Sequence, residues 1–304
     1  MESVGKASDM VRECFPDFAI ENMVLAGEGL DNRAYFVNDA YVFRFPKSPQ
    51  AAESMEIEIS LLPQLQEKVS VLIPQFAFVG RRGKSVLFTG YKKIEGVALS
   101  AIWEDASSSA QEIILRSLGR FLEEVHAFPI DRAHRCGVFL HRFRRVHHGD
   151  FGKVLTALAP SLEEATRTFL HHLHQEYMAD DRNLFFDSVL LHADFSPDHI
   201  FCDPQSAQLT GIIDFGDTGL GDADYDLLYL FGAFGWDFIL RFLPHYHRTD
   251  VDPVLLHQKL RFLLLHNTLD DLWMGRDRKD AALEERAMRT LNEQVEKICT
   301  NAFW

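Results

Sequence analysis

Cysteine is scarce and scattered in this chain. Cys14, Cys136, Cys202 and Cys299 form no CxxC pair and have no metal-ligand spacing, so they read as thiols of a reducing cytoplasm rather than a disulfide framework or zinc site. Long apolar runs are missing: none approaches the roughly 20 residues that span a bilayer, and Met1-Glu2-Ser3-Val4 opens no signal peptide. Positive charge is outnumbered, and the net charge of −14 argues against nucleic acid or an anionic membrane as a partner. It suits a cationic ligand, or simply keeps the protein soluble. There is no internal repeat or low-complexity tract. With 304 residues, 47% of them hydrophobic and 25% charged, the chain is large enough for two lobes with cores of their own.

Leu191 to Asp226 carries the strongest pattern. Val189-Leu190-Leu191 is a short apolar run, followed by a polar loop from His192 to His199. Ile200-Phe201-Cys202 is a second run, Asp203-Pro204-Gln205-Ser206 a turn, and Leu209-Thr210-Gly211-Ile212-Ile213 a third run that ends at Asp214. Asp194 and Asp214 thus sit just beyond two strands, which we expect to be neighbours through a hairpin. Phosphoryl transfer asks for this arrangement. One carboxylate orients a hydroxyl and accepts its proton, and a second, with a neutral ligand, holds the magnesium that bridges nucleotide phosphates. Asp194 fits the base, Asp214 the metal ligand, and His199 stands where protein kinases place an Asn ligand. Asp214-Phe215-Gly216 is the kinase metal-binding triplet letter for letter.

HADFSPDHIF followed by GIIDFGDTGLGDADYDLLYL resembles the aminoglycoside phosphotransferase family, most of all its 2″ branch, which also uses His after the catalytic loop. Macrolide phosphotransferases share that His but usually have Trp in the place of Phe215. The resemblance spans residues 19–275 and is patchy after Trp236. It implies an α+β fold of protein-kinase type with two lobes, a small antiparallel β lobe over residues 1–94 and a mainly helical lobe over 95–304.

In the first lobe we expect a helix over residues 3–15 and strands at Ala19–Ala26, Ala34–Val37 and Tyr41–Phe45. Val71–Val79 and Val86–Gly90 complete a five-stranded sheet. Between the first two strands, Gly27 and Gly29 let backbone amides approach phosphates. The third glycine of protein kinases is absent, so Asn32 or the loop amides would share the grip. Alternation puts Phe43 and Phe45 on one face and Arg44 on the other, towards the cleft. Where a kinase has Lys for the phosphates, this chain offers Arg44, or Lys47 beyond Pro46. Glu53, Glu56 and Glu58 on the helix Ala51–Leu62, which Pro63 would end, are candidate partners for Arg44, and alignment with the family favours Glu58. Residues 90–96 read as a hinge, where Tyr91 and Lys92 would edge the purine and Phe88 or Ile94 pack on it. The resemblance is to a group that often accepts GTP, and ATP and GTP both stay open.

In the second lobe, Ser100–Glu104 and Ser109–Ala127 are expected helices, and the stripe Ile113, Ile114, Leu118, Phe121, Leu122, Val125 is core. His126, in the last turn, resembles a family position that supports the catalytic loop, although a His at a helix end is more often simply structural, and His192 reads as a brace for that loop. Residues 130–150, rich in Arg and His, read as irregular and solvated. A helix over Ser161–Ala179 carries His171, His172 and His174, which lack companions at zinc-ligand spacing. Gly221-Asp222-Ala223-Asp224-Tyr225-Asp226-Leu227 resembles a family element in which the first Asp caps the next helix and the last bonds within the loop. Residues 225–243, 254–273 and 281–298 read as helices. Asp237, Asp270, Asp271 and Trp273 lie where the 2″ branch lines its aminoglycoside pocket with acids and an aromatic.

The resemblance therefore implies a magnesium- and nucleoside-triphosphate-dependent kinase for a hydroxyl of a cationic antibiotic, acting as a cytoplasmic monomer that confers resistance. A macrolide kinase, a choline or sugar kinase, and a non-catalytic pseudokinase remain alternatives.

Overall fold

The computed structural model describes residues 4–140, 151–248 and 251–300. Helix α1 (Val4–Cys14) precedes a five-stranded antiparallel sheet of β1 (Met23–Glu28), β2 (Asn32–Val37), β3 (Tyr41–Pro46), β4 (Phe76–Arg82) and β5 (Ser85–Lys92), in the order β1-β2-β3-β5-β4. Period-two alternation decides its two faces. Tyr35, Phe43, Phe45 and Phe88 share one face and close an aromatic core with α1, the Phe45 and Phe88 rings lying 5.1 Å apart. Arg44 pairs with Thr89 across the ladder, and Val42 with Tyr91, so Arg44, Thr89 and Tyr91 fall on the opposite face. Helix α2 (Pro49–Gln66) packs against β3 and β5 there.

Several boundaries differ from the sequence expectation, for local reasons. The first strand starts at Met23 rather than Ala19 because the Asn38 side chain captures residues 19–22: its Oδ1 accepts from the Glu21 and Asn22 amides and its Nδ2 donates to the Ala19 carbonyl. Pro63 does not end α2, which runs on to Gln66. The apolar packing of Leu61, Leu62 and Leu65 outweighs the missing proline N–H. The fourth strand starts at Phe76 rather than Val71, since the Leu72 carbonyl accepts from the Ile212 amide at 2.9 Å instead of joining the sheet.

Among the described residues, five short strands follow: β6 (Val97–Ala98), β7 (Val189–Leu191), β8 (Ile200–Cys202), β9 (Leu209–Ile212) and β10 (Gly219–Gly221). β6, β8 and β9 make one sheet, while β7 pairs with β10. The strands that precede Asp194 and Asp214 are therefore not hairpin neighbours as expected: β9 pairs with β8, and the apolar residues of β7 find their partners in Gly219–Gly221.

The helices after the first sheet are α3 (Leu99–Ile102), α4 (Ser108–His126), α5 (Ile130–Arg135), α6 (Phe151–Leu158), α7 (Glu164–Met178), α8 (Leu228–Phe242), α9 (Pro253–Asp277) and α10 (Ala281–Thr300). The expected irregular stretch 130–150 is helical at α5, and its residues 141–150 lie outside the described residues. Ala223–His245 is, by length and composition, apolar enough to cross a membrane, against the expectation from unbroken runs, because Asp224, Asp226, Asp237 and Arg241 interrupt it. In this fold it is a 3-10 turn followed by α8, which breaks at Gly235 (φ 77°, ψ −174°), a backbone conformation open essentially to glycine alone. Leu228, Phe231, Phe238 and Phe242 are buried there.

The chain forms two compact units that do not divide at residue 94. The first comprises residues up to Ser117, Phe128–Val138 and Asp198–Asp217, and the second comprises Leu118–Ala127, Phe139–Pro197 and residues from Thr218 onward. The β8–β9 hairpin belongs to the first unit through its ladder with β6 and the Leu72 bond.

Candidate active site

In the first unit, Arg44 stands at the centre of a charge cluster in which it and Glu58 are buried. Its Nη1 donates to Glu58 Oε2 at 2.6 Å and its Nη2 to Asp214 Oδ1 at 3.1 Å. Strand β3 aims Arg44 off the aromatic face, α2 presents Glu58, and the turn after β9 presents Asp214, whose φ of 67° is left-handed backbone that Asp tolerates better than most residues. Burial opposes the charge on Arg44, but Glu58 and Asp214 outweigh it and hold the guanidinium protonated. Burial likewise pushes the Glu58 carboxyl up, with Arg44 pulling against it. The Tyr91 hydroxyl is pushed up to about 12 by burial.

The Asp214 side chain is 42% exposed, and its Oδ2 lies 3.7 Å from His199 Nε2. Two ligands about 2.1 Å from one magnesium sit about 3–4 Å apart, so a hard carboxylate oxygen and a facing imidazole nitrogen fit a divalent cation.

The glycine hairpin is braced rather than loose. Gly29 N–H donates to the Asn32 carbonyl at 2.9 Å, and Lys47 N–H to the Asp31 carbonyl at 2.7 Å. Lys47 Nζ reaches both the Gly29 carbonyl and Glu28 Oε1 at 3.0 Å, and Arg33 binds the same Glu28 oxygen. Arg33 first and Lys47 second hold the Glu28 carboxyl down at about 2. Lys47 is thus a staple of the hairpin, while Arg44 lies with Glu58 and Asp214. Gly27 has open space where a β-carbon would stand, and the Asn32 side-chain oxygen is buried without a hydrogen bond. Tyr91 is buried and Lys92 exposed at the end of β5. Ile94 packs on Gly211, where a β-carbon would stand 2.4 Å from its Cγ2. Phe88 belongs to the aromatic core on the other face from Arg44.

In the second unit, the loop that carries Asp194 is held from behind by Asp226. The fully buried Asp226 carboxylate accepts from the His192 amide at 3.0 Å and the Ala193 amide at 2.7 Å. His126 Nε2 lies 2.9 Å from Asp226 Oδ2, and its Nδ1 lies 2.5 Å from the Tyr246 hydroxyl. Burial would raise the Asp226 carboxyl, but the His126 hydrogen bond and charge, with the Ala193 amide, bring it below its ordinary range. His192 Nδ1 accepts from the Asp194 amide at 3.3 Å, and Phe195 stacks on Phe121 with centroids 5.8 Å apart. His192 is a brace, as expected, and His126 supports the same loop through Asp226, the role that the family resemblance implied. Asp226 bonds to the loop at 192–193 rather than within its own, because the 3-10 turn Ala223–Leu227 packs against β7.

Asp222 caps that turn by accepting from the Asp224 amide at 3.0 Å. Sequence reading missed the cation behind it. Lys259, buried on α9, donates to Asp222 at 2.7 Å and Asp224 at 2.5 Å, and Arg248 binds Asp224 at 2.6 Å. Burial first, then Asp224, raises the Asp222 carboxyl. A lysine inside a helix pattern signals nothing by itself, and only the carboxylates it meets identify it. Asp237 is exposed just after the Gly235 break, and Asp270, Asp271 and the 44%-exposed Trp273 share the last turns of α9. Asp270 lies 3.5 Å from His266 Nδ1, and burial pushes that imidazole down to about 4, so the ring beside the carboxylate is neutral.

This architecture has known counterparts. The GDP complex of wild-type aminoglycoside 2′-phosphotransferase-IIIa superposes with a TM-score of 0.89 at 31% identity, covering 96% of this chain and 98% of that one. The GDP and kanamycin complex of an APH(2″) enzyme gives 0.88 at 32% identity with the same coverage. Among curated sequences, the uncharacterized protein YcbJ of Bacillus subtilis (strain 168) is 24% identical over 244 residues, 75% of this chain and 76% of YcbJ. The fold is kinase-like, and since the sequence model of the phosphotransferase enzyme family matches residues 23–263, the chain belongs to that family.

Proposed function

We propose that this phosphotransferase moves the terminal phosphoryl group of ATP or GTP onto a hydroxyl of an aminoglycoside, at the 2″ position, and so confers resistance. The observation that carries the reading is likeness over 96% of the chain, at 31–32% identity, to aminoglycoside phosphotransferases seen with GDP and with kanamycin. The Arg44–Glu58–Asp214 cluster supports it chemically.

Arg44, anchored by Glu58, binds the nucleotide phosphates, and the hairpin of Gly27, Gly29 and Asn32, with its open space at Gly27, borders the same anion. Tyr91, Lys92 and Ile94 border the base. Asp214 and His199 would hold magnesium, which when bound neutralises charge on the phosphates. Asp194 orients the acceptor hydroxyl and takes its proton as the oxygen bonds to phosphorus and the nucleoside diphosphate leaves in line. Asp237, Asp270 and Asp271 attract the ammonium groups, and Trp273 offers a face to a sugar ring. The test is nucleoside diphosphate release by the purified protein over aminoglycoside and macrolide panels, with ATP and GTP in parallel. Aminoglycoside-dependent turnover is expected, and turnover with macrolides alone would overturn the reading.

A further inference from the structure

We propose that Arg44 guards Asp214: without nucleotide its guanidinium occupies the carboxylate that would hold magnesium, and it yields that carboxylate when phosphates arrive. The inference rests on the phosphotransferase reading of the same residues.

One guanidinium serves two carboxylates here, through separate nitrogens, at 2.6 Å to Glu58 and 3.1 Å to Asp214. The fork can do this because its N–H edges are fixed in a plane, whereas an ammonium offers one point of charge. The second observation is an acceptor in waiting. Glu58 Oε1 is buried and has no hydrogen bond, although its sister oxygen holds Arg44. Arg44 Nη2, Asp214 Oδ1 and Glu58 Oε1 lie 3.6, 3.6 and 3.7 Å from the point where a β-carbon on Gly216 would stand, so the three atoms converge on one spot. A small rotation carries Nη2 from Asp214 to Oε1. That exchanges one ion pair for a two-pronged Arg–carboxylate pair and gives the unbonded Glu58 oxygen a donor.

A metal ion arriving alone at Oδ2 and His199 must share the carboxylate with the guanidinium held on Oδ1 and sit beside that cation. Phosphates arriving with the ion supply the negative charge that draws both together. Metal and nucleotide therefore bind as a coupled pair, and the empty enzyme holds metal weakly.

Mn2+ standing in for magnesium is titrated by electron paramagnetic resonance, with and without GDP, in the absence of acceptor. Relative to the parent, R44Q should bind Mn2+ without nucleotide about fivefold more tightly, the factor that corresponds to about 1 kcal/mol for an ion pair with one partner partly exposed, while GDP binding weakens. R44K keeps a charge for Glu58 and so protects the fold; it should move both affinities in the same directions by less. Mn2+ affinity without nucleotide that is equal or weaker in both variants would overturn the guard. The D214N substitution in the R44Q background separates the two readings. If it abolishes the Mn2+ signal while R44Q gives no tightening, the guard alone falls. If it leaves the signal unchanged, Asp214 is not the ligand and the assignment beneath falls with it.

Discussion

Asp226→Asn tests how far the loop that carries Asp194 depends on one buried carboxylate. Asp226 receives three groups, the amides of His192 and Ala193 and the ring of His126. An asparagine of the same shape keeps one acceptor oxygen and turns an NH2 towards a donor. Hydrogen bonds to a charged group contribute about 1.5–3 kcal/mol each, and a buried N–H left unmade costs about 1–3 kcal/mol. The substitution should therefore cost about 3–5 kcal/mol, which lowers Tm by about 5–8 °C at this chain length. The damage is local, so amide exchange at 192–195 should accelerate more than exchange in the five-stranded sheet. Turnover should fall about 100-fold, since a shift of about 1 Å in a reacting group is enough for that. The pH dependence follows from the sign of the shift. The folded Asp226 carboxyl lies below its ordinary value, so its stabilisation is fully present above about pH 4 and is lost as pH falls through the folded value. The acid limb of the parent's stability curve should flatten in the variant. Unchanged Tm together with unchanged exchange at His192 and Ala193 would refute the reasoning.

Other outcomes follow from the same geometry. Asp194→Ala should reduce turnover by about 10²–10⁴-fold while GDP affinity, measured by calorimetry, stays within a few-fold of the parent. Lys259→Met should destabilise by about 3–5 kcal/mol in urea unfolding, because Asp222 and Asp224 are left as adjacent buried carboxylates; a neutral result would mean that Arg248 alone balances them. Under the proposed function, aminoglycoside KM should rise steeply from low to near-molar salt, since pairs with exposed acids contribute only about 0–1 kcal/mol each and are screened. Asp237→Asn combined with Asp271→Asn should reproduce that rise at low salt, and a flat dependence would favour an apolar acceptor.

The sequence by itself determined the chemistry-bearing elements. Strand alternation was enough to send Arg44 away from Phe43 and Phe45, because a two-residue period leaves no other choice. Glycine and turn residues bounded β8 and β9 on either side of Asp203-Pro204, and the HADFSPDHIF and DFG stretches carried the family and hence the kinase-like fold. These are local signals, written within a few residues of one another. Tertiary structure alone decided which partners meet. The choice of Arg44 over Lys47 beside Asp214 depends on where α2 and the turn after β9 bring their carboxylates. The pairing of β7 with β10, the continuation of α2 through Pro63, and the burial of Lys259 against Asp222 and Asp224 join residues far apart in the chain. A side chain's propensity is the same wherever it stands, but the free energy of a buried charge is set by what the fold places within about 3 Å of it.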